Sequence, residues 1–135
     1  MPARRRIGVF VYSAVMQGLH LTADLYRCRC DAAWLTDAGK LGPWCVQAME
    51  SVGLVPVEQR FAAVPAPGGV AGAVLLGHAH ICLHTWPAQR AATLDVYVCN
   101  AADAQAQARA LMTALVDRFE PEWTEQRSLD RGDGE

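Results

Sequence analysis

Apolar and polar residues alternate strictly over residues 19–26 of this 135-residue chain. The apolar residues are Leu19, Leu21, Ala23 and Leu25. They alternate with His20, Thr22, Asp24 and Tyr26. A repeat of two residues places the two sets on opposite faces of a β-strand. The chain must therefore form a strand with one face in a core and the other face outside it.

The remaining segments predict an α+β domain. We expect a helix over residues 37–52, which Gly53 ends, and a second over residues 103–119, where Leu111, Leu115 and Phe119 recur every four residues. Further strands are expected over residues 54–62, 70–76, 80–85 and 93–99. This order predicts a mostly antiparallel sheet with the helices on one face.

Composition narrows the class of protein. Hydrophobic residues make up 52% of the chain and charged residues 19%, which is typical of a packed core. The formal net charge of -2 gives no reason to expect a nucleic-acid partner, and no apolar run is long enough to span a membrane. The five cysteines are an odd number, which argues against a closed disulfide framework and favours a reduced, cytoplasmic protein.

Three segments resemble a known family. They are Gly18 to Tyr26, the run Gly77-His78-Ala79-His80-Ile81-Cys82-Leu83-His84-Thr85-Trp86-Pro87, and Thr93 to Asn100. Together they resemble the bacterial S-adenosylmethionine decarboxylases of spermidine biosynthesis, over residues 18–120. The resemblance implies a two-layer sandwich that dimerises. It also implies self-processing, in which a Glu-Ser bond breaks and the serine becomes a pyruvoyl cofactor.

The resemblance divides the chain into three parts: residues 1–17 as an N-terminal extension, 18–120 as the decarboxylase-like domain and 121–135 as a tail. Because family members usually start just before this first strand, Met16 is a candidate start. Residues 7–13 are alternatively an extra edge strand. In the tail we expect a short strand followed by disorder.

The resemblance also assigns roles to individual residues. His84 matches the histidine that assists processing, and Cys99 matches the cysteine that acts as a proton donor. Ala79 stands where the family has its serine, and His78 replaces the glutamate before it. Alanine has no hydroxyl, so we expect that no pyruvoyl cofactor forms. His84 is equally consistent with a packing role, and Cys99 with a small buried side chain.

The positions that bind substrate in the family have also changed. Val64 lies where an aromatic ring stacks on adenine, Ala71 where a small hydroxyl residue is common, and Ala88 where an acidic residue binds the ribose. Losses at the nucleophile and at these positions suggest natural decay or a new role. An introduced Ser-to-Ala change remains an alternative explanation for Ala79.

Two other site hypotheses come from the residues themselves. Cys82 is a thiol three positions beyond Ala79, but it lies inside a predicted strand rather than at the turn. His80, Cys82 and His84 recur every second residue and would share one strand face, a pattern that suits zinc or copper. His78 extends the pattern, although Gly77 is expected to turn the chain there.

Three functions remain open from sequence. The first is an unprocessed pseudoenzyme of polyamine biosynthesis, a homodimer or a regulatory partner of an active paralogue. The second is an active decarboxylase of S-adenosylmethionine or another amino acid that works by a non-standard route. The third is a module that binds a small ligand or metal, with S-adenosylmethionine or a polyamine as candidate ligands.

Overall fold

The computed structural model describes residues 16–66 and 68–132. Its strands are β1 Gln17–Tyr26, β2 Glu58–Ala63, β3 Val70–Leu76, β4 Ala79–Trp86, β5 Ala91–Cys99 and β6 Trp123–Gly132. Its helices are α1 Ala33–Thr36, α2 Ala38–Ser51 and α3 Ala104–Phe119, and a 3₁₀ turn spans Pro87–Gln89. In chain order, α1 and α2 follow β1, and α3 lies between β5 and β6.

The six strands form one sheet in the order β2-β3-β4-β5-β1-β6, and every neighbouring pair is antiparallel. Helix α2 packs on β2 and β3, while α3 packs on β1 and β5. The predicted α+β sandwich, with an antiparallel sheet and helices on one face, is confirmed.

The alternation of residue types explains the two faces of the sheet. The apolar residues of β1 are buried, and so are Ile81 and Leu83 of β4. They face a helical layer in which Leu111, Leu115 and Phe119 of α3 are also buried. The polar set of β1 and the even-numbered residues of β4 lie on the opposite side, which we call the helix-free face.

Two predicted boundaries differ from the structure. Strand β2 begins at Glu58 rather than at residue 54, because Pro56 has no N–H to donate and the first bond to β3 runs from the Val57 N–H to the Leu75 carbonyl, at 2.8 Å. The tail strand is not short: β6 pairs with β1 from Gln17 opposite Gly132 to Tyr26 opposite Trp123.

The extension and the alternative strand over residues 7–13 lie outside the described residues. Within the described part of the chain, no helix is both long enough and apolar enough to cross a membrane.

Candidate active site

The β3–β4 hairpin places the altered processing position at a turn. Gly77 and His78 form the turn, and Leu76 pairs with Ala79 as the two strands begin. Ala79 is 4% exposed and lies on the helix side of the sheet. The carbonyl of His78 accepts a hydrogen bond from the N–H of Cys99, at 2.9 Å. That carbonyl is the group that a hydroxyl on residue 79 would attack.

The hairpin therefore keeps one part of a cleavage site and lacks another. A fixed N–H on a carbonyl oxygen stabilises the negative charge that develops when the carbon is attacked. Ala79 supplies only a methyl group, so no oxygen is present to attack. The residues at this position do not fit a pyruvoyl group.

Cys99 lies next to the hairpin at the end of β5 and is 9% exposed. Gly18 of β1 is opposite it in the register. A Cβ at Gly18 would lie 2.7 Å from the Cβ of Cys99, so this approach requires glycine. The neighbouring Cys99 side chain, and secondly burial, raises the pKa of Tyr97.

Cys82 lies on the other side of the sheet from Ala79. Its register partners are Ala73 on β3 and Asp95 on β5. Burial, and secondly the charge of Asp95, raises the pKa of the Cys82 thiol. A raised pKa reduces the fraction of the nucleophilic thiolate. The mid-strand position of Cys82 and its raised pKa both argue against a role as the attacking group.

A second group of predicted site residues lies at the opposite end of β4. His84 pairs with Ala71 of β3. Val64 donates its N–H to the Gly69 carbonyl at 2.9 Å, in the loop before β3, and Ala88 is in the 3₁₀ turn after β4. His84 is exposed, and its ring centroid is 6.3 Å from that of Trp86, with the planes 21° apart.

The sequence-predicted site residues therefore form two separate groups in one chain. His78, Ala79 and Cys99 form the hairpin group, while Val64, Ala71, His84 and Ala88 form the distal group. Ala79 and His84 are five residues apart on one strand, which corresponds to roughly 17 Å at about 3.4 Å per residue. A single copy does not bring the two groups together.

The family model for S-adenosylmethionine decarboxylase matches residues 19–132. This chain belongs to the S-adenosylmethionine decarboxylase family. The S-adenosylmethionine decarboxylase proenzyme of Hydrogenobaculum sp. is 34% identical over 85% of this chain and 81% of its own length. The proenzyme of Thermoplasma acidophilum is 31% identical over 86% and 84% respectively.

A solved structure agrees with these sequence relatives. The crystal structure of the adenosylmethionine decarboxylase from Aquifex aeolicus is similar to this chain with a TM-score of 0.76 and 29% identity. The match covers 90% of this chain and 96% of the other.

The metal-site hypothesis for His80, Cys82 and His84 is supported only in the face on which these residues lie. His80, Cys82 and His84 all lie on the helix-free face, as their spacing predicts, and His78 leaves the row at the turn. Residues 16–66 and 68–132 contain no group of three His, Cys, Asp or Glu side chains that could hold a metal ion. The proposed ligands do not converge, because alternate residues of a strand are spread along its length.

Sequence reasoning missed a polar cluster on the helix-free face of this decarboxylase homologue. His80 of β4, Tyr97 of β5 and His20 of β1 are neighbours, with ring centroids 5.6 Å apart for His80–Tyr97 and 6.2 Å for His20–Tyr97. His20 Nε2 is 3.7 Å from Asp95 Oδ1 and has no hydrogen bond among the described residues. Burial, and secondly the charge of His20, lowers the pKa of His80. The cluster depends on the strand order, which the local pattern does not reveal.

Thr85 was also missed, and its role here is structural. It is 3% exposed. Its hydroxyl accepts a hydrogen bond from the N–H of Val70 at 2.8 Å and donates one to the Leu35 carbonyl at 2.7 Å. The hydroxyl thus joins β4 to the start of β3 and to α1. The sequence signal for this role was a single threonine among the apolar residues that alternate along β4.

Proposed function

We propose that this chain is an S-adenosylmethionine decarboxylase homologue that remains uncleaved and serves spermidine biosynthesis as the non-catalytic partner of an active relative. The observation that carries the proposal is Ala79, a buried methyl group beside a carbonyl that still accepts the Cys99 N–H. The fold that supports cleavage in this family is retained, while the attacking atom is absent.

The surroundings of Ala79 support the absence of cleavage. The nearest thiol along β4, Cys82, lies on the opposite face of the sheet and is paired in mid-strand. The distal group has lost chemistry as well, since Val64, Ala71 and Ala88 offer no ring, hydroxyl or carboxylate to a ligand. A decarboxylase that relies on pyruvoyl also needs the cleavage that forms this electron sink.

The separation of the two groups supports the partner role. Pairing two copies through their helix-free faces about a two-fold axis would place the hairpin group of one beside the distal group of the other. Each site of such a pair draws one group from each chain. In a mixed pair, an active relative would supply a serine hairpin to this chain's His84, and its own distal group to this chain's Cys99.

Mass spectrometry tests the absence of cleavage. We expect the purified protein to show one species with the mass of the uncut chain and to release no carbon dioxide from S-adenosylmethionine. The Aquifex aeolicus decarboxylase, assayed in parallel, is the positive control. Fragments that divide between residues 78 and 79, together with carbon dioxide release, would refute the proposal.

Affinity purification tests the partnership. We expect tagged protein expressed in its native host to recover a second subunit of the same family that carries a serine at the position of Ala79. The matched control is a tagged Thr93→Lys variant, which places a charge on the helix-free face. Recovery of no related subunit by the wild-type protein would exclude the regulatory role.

A further inference from the structure

Three aromatic side chains border a cleft at the distal end of the sheet. Tyr26 of β1, Trp86 of β4 and Trp123 of β6 line it, with Ala91 of β5 between them, and its volume is about 530 Å³. We call this the aromatic cleft. Trp86 is 47% exposed and Trp123 is 49% exposed, so their rings remain accessible in the single chain. This volume lies within the range of small-molecule pockets, about 300–1,000 Å³.

The strand order makes the aromatic cleft wide enough to hold a flat ring between its walls. Trp86 and Tyr26 lie on strands that flank β5, so their backbones are two strand spacings apart, or about 10 Å. Ala91 fills little of the space between them. A ring in contact with an aromatic plane on each side needs roughly 7–8 Å between the planes. Tyr26 is already stacked on Trp123, with centroids 4.3 Å apart and planes 21° apart.

A cationic cavity adjoins the aromatic cleft and shares Arg27 and Gln89 with it. Its volume is about 520 Å³, and Arg29, Arg90 and Glu122 also line it. Among the described residues that line the cavity, Glu122 is the one carboxylate, 3.4 Å from Arg27 Nη1 and 3.8 Å from Arg29 Nη1. One carboxylate cannot neutralise both guanidinium groups, so the cavity carries excess positive charge.

Arg90 adds to the positive charge of this cavity from a fixed position. Arg90 donates through Nε to the Cys28 carbonyl at 2.6 Å and through Nη2 to the Cys30 carbonyl. Both partners are neutral, so its positive charge remains. Ala88 lines the same cavity and contributes no opposing charge. The distal end of the sheet is therefore suited to an anion next to a flat ring.

We propose that the intact chain binds a nucleoside monophosphate here, with the base in the aromatic cleft and the phosphate at Arg27 and Arg29. Gln89 lies between the two cavities and offers an amide to the base or the ribose. The positive field disfavours S-adenosylmethionine, whose sulfonium is a cation, relative to an anionic nucleotide. The inference concerns binding by the uncut chain and does not depend on cleavage; it requires that pairing through the helix-free faces leaves this end of the sheet open to the ligand.

Titration calorimetry with AMP, adenosine and inorganic phosphate tests the proposal. We expect AMP to bind, adenosine to bind about tenfold more weakly because it lacks the charge, and phosphate alone to give no measurable binding. In NMR spectra, AMP should shift the indole N–H signals of Trp86 and Trp123. The signals of Trp34 and Trp44, which contact each other elsewhere in the fold, should not move.

Variants separate the two halves of the site. We expect Trp123→Ala to weaken AMP about tenfold by removing a stacking surface. The double variant Arg27→Gln/Arg29→Gln should weaken AMP by a similar factor and leave adenosine unchanged. Arg109→Gln, which removes an exposed arginine of α3, is the matched control and should bind AMP as the wild type does.

Three results would overturn the proposal. S-adenosylmethionine binding more tightly than AMP would show that the cationic ligand is retained. Equal binding of AMP by the Arg27→Gln/Arg29→Gln variant would remove the phosphate site. AMP that binds without shifting the indole signals of Trp86 and Trp123 would place the base outside the aromatic cleft. None of these results would show whether the chain is cleaved, which the intact mass decides separately.

Discussion

Ala79 and Thr85 lie on the same strand and face the same side of the sheet, yet their chemistry is opposite. Position 79 lacks the hydroxyl that cleavage requires, while Thr85 uses its hydroxyl to join β4 to β3 and α1. The family motif around His84 thus contains both a position for cleavage chemistry and a position that stabilises the fold. Loss of the nucleophile leaves the structural hydroxyl, and with it the fold, intact.

Restoring the nucleophile is the direct test of the hairpin. We expect Ala79→Ser to cleave slowly into residues 1–78 and 79–135, because the Cys99 N–H already polarises the His78 carbonyl. Intact-mass measurements over days would follow the reaction. Ala73→Ser, on the neighbouring strand, is the control and should stay whole. A stable Ala79→Ser chain would show that His78 or other changes also block cleavage.

Removing the Thr85 hydroxyl should destabilise the fold without touching a ligand. We expect Thr85→Val to lower the free energy of unfolding by about 2–4 kcal/mol, because the Val70 N–H and the Leu35 carbonyl would lose their shared partner in a buried site. Urea denaturation measures the change. Thr93→Val, on the helix-free face, should change stability by less than about 1 kcal/mol. Equal effects of the two variants would contradict the assigned role.

At the scale of elements, β6 shows how a polar sequence becomes part of the sheet. Its residues are mostly exposed and carry both charges, so local composition resembles a tail. The strand forms because β1 offers an unpaired edge along its whole length, and ten register pairs follow. Backbone hydrogen bonds, rather than apolar burial, define this element.

Truncation tests whether β6 supports the sheet. We expect a chain that ends at residue 122 to lose on the order of 10 °C in thermal midpoint and to aggregate, since β1 becomes an exposed edge. Circular dichroism and light scattering measure both effects. Deleting only residues 133–135 is the control. An unchanged midpoint after the longer truncation would show that β6 adds nothing to stability.

The cluster on the helix-free face makes stability depend on pH. Burial and His20 lower the pKa of His80, while Asp95 opposes them, and Tyr97 is the other titratable neighbour. The unfolded chain therefore takes up a proton at His80 before the folded chain does. Stability contributed by the neutral imidazole is present above about pH 6.5 and is lost as the pH falls below that value.

The substitution His80→Gln should reduce this dependence. We expect its thermal midpoint to fall less than that of the wild type between about pH 7.5 and about pH 5.5. His84→Gln, which replaces an exposed imidazole on the same strand, is the matched control. An identical fall in the wild type and in His80→Gln would locate the pH response at other groups.

For the whole molecule, the decisive feature is the division of the site between the two ends of β4. When two helix-free faces pair, a new charge on that face must reduce the free energy of self-association more than a charge on the helical surface does. We expect Thr93→Lys to weaken self-association at least tenfold by burying an unpaired ammonium. Sedimentation velocity measures it, with Gln105→Lys on exposed α3 as control. A wild-type chain that is monomeric at high concentration would rule out this pairing.

The local pattern was sufficient for much of the fold. Alternation in β1 and β4 and the four-residue spacing of Leu111, Leu115 and Phe119 depend only on backbone geometry, so strands and helices could be assigned near their observed bounds. The motif around Ala79 was equally local, because the loss of a hydroxyl is visible in the residue itself. The predicted start of β2 was wrong because Pro56 delays pairing. The predicted length of β6 was wrong because its partner, β1, lies far away in the sequence.

The amino-acid sequence by itself determined the family, the two faces of the sheet and the missing nucleophile, since each depends on residue identity or short-range spacing. Only the tertiary structure decided which side chains meet. It placed Ala71 opposite His84, assembled His20, His80 and Tyr97 from three strands, and brought Tyr26, Trp86 and Trp123 to one cleft. The physical reason is that strand order and register come from long-range backbone pairing, which the sequence pattern of a single strand does not specify.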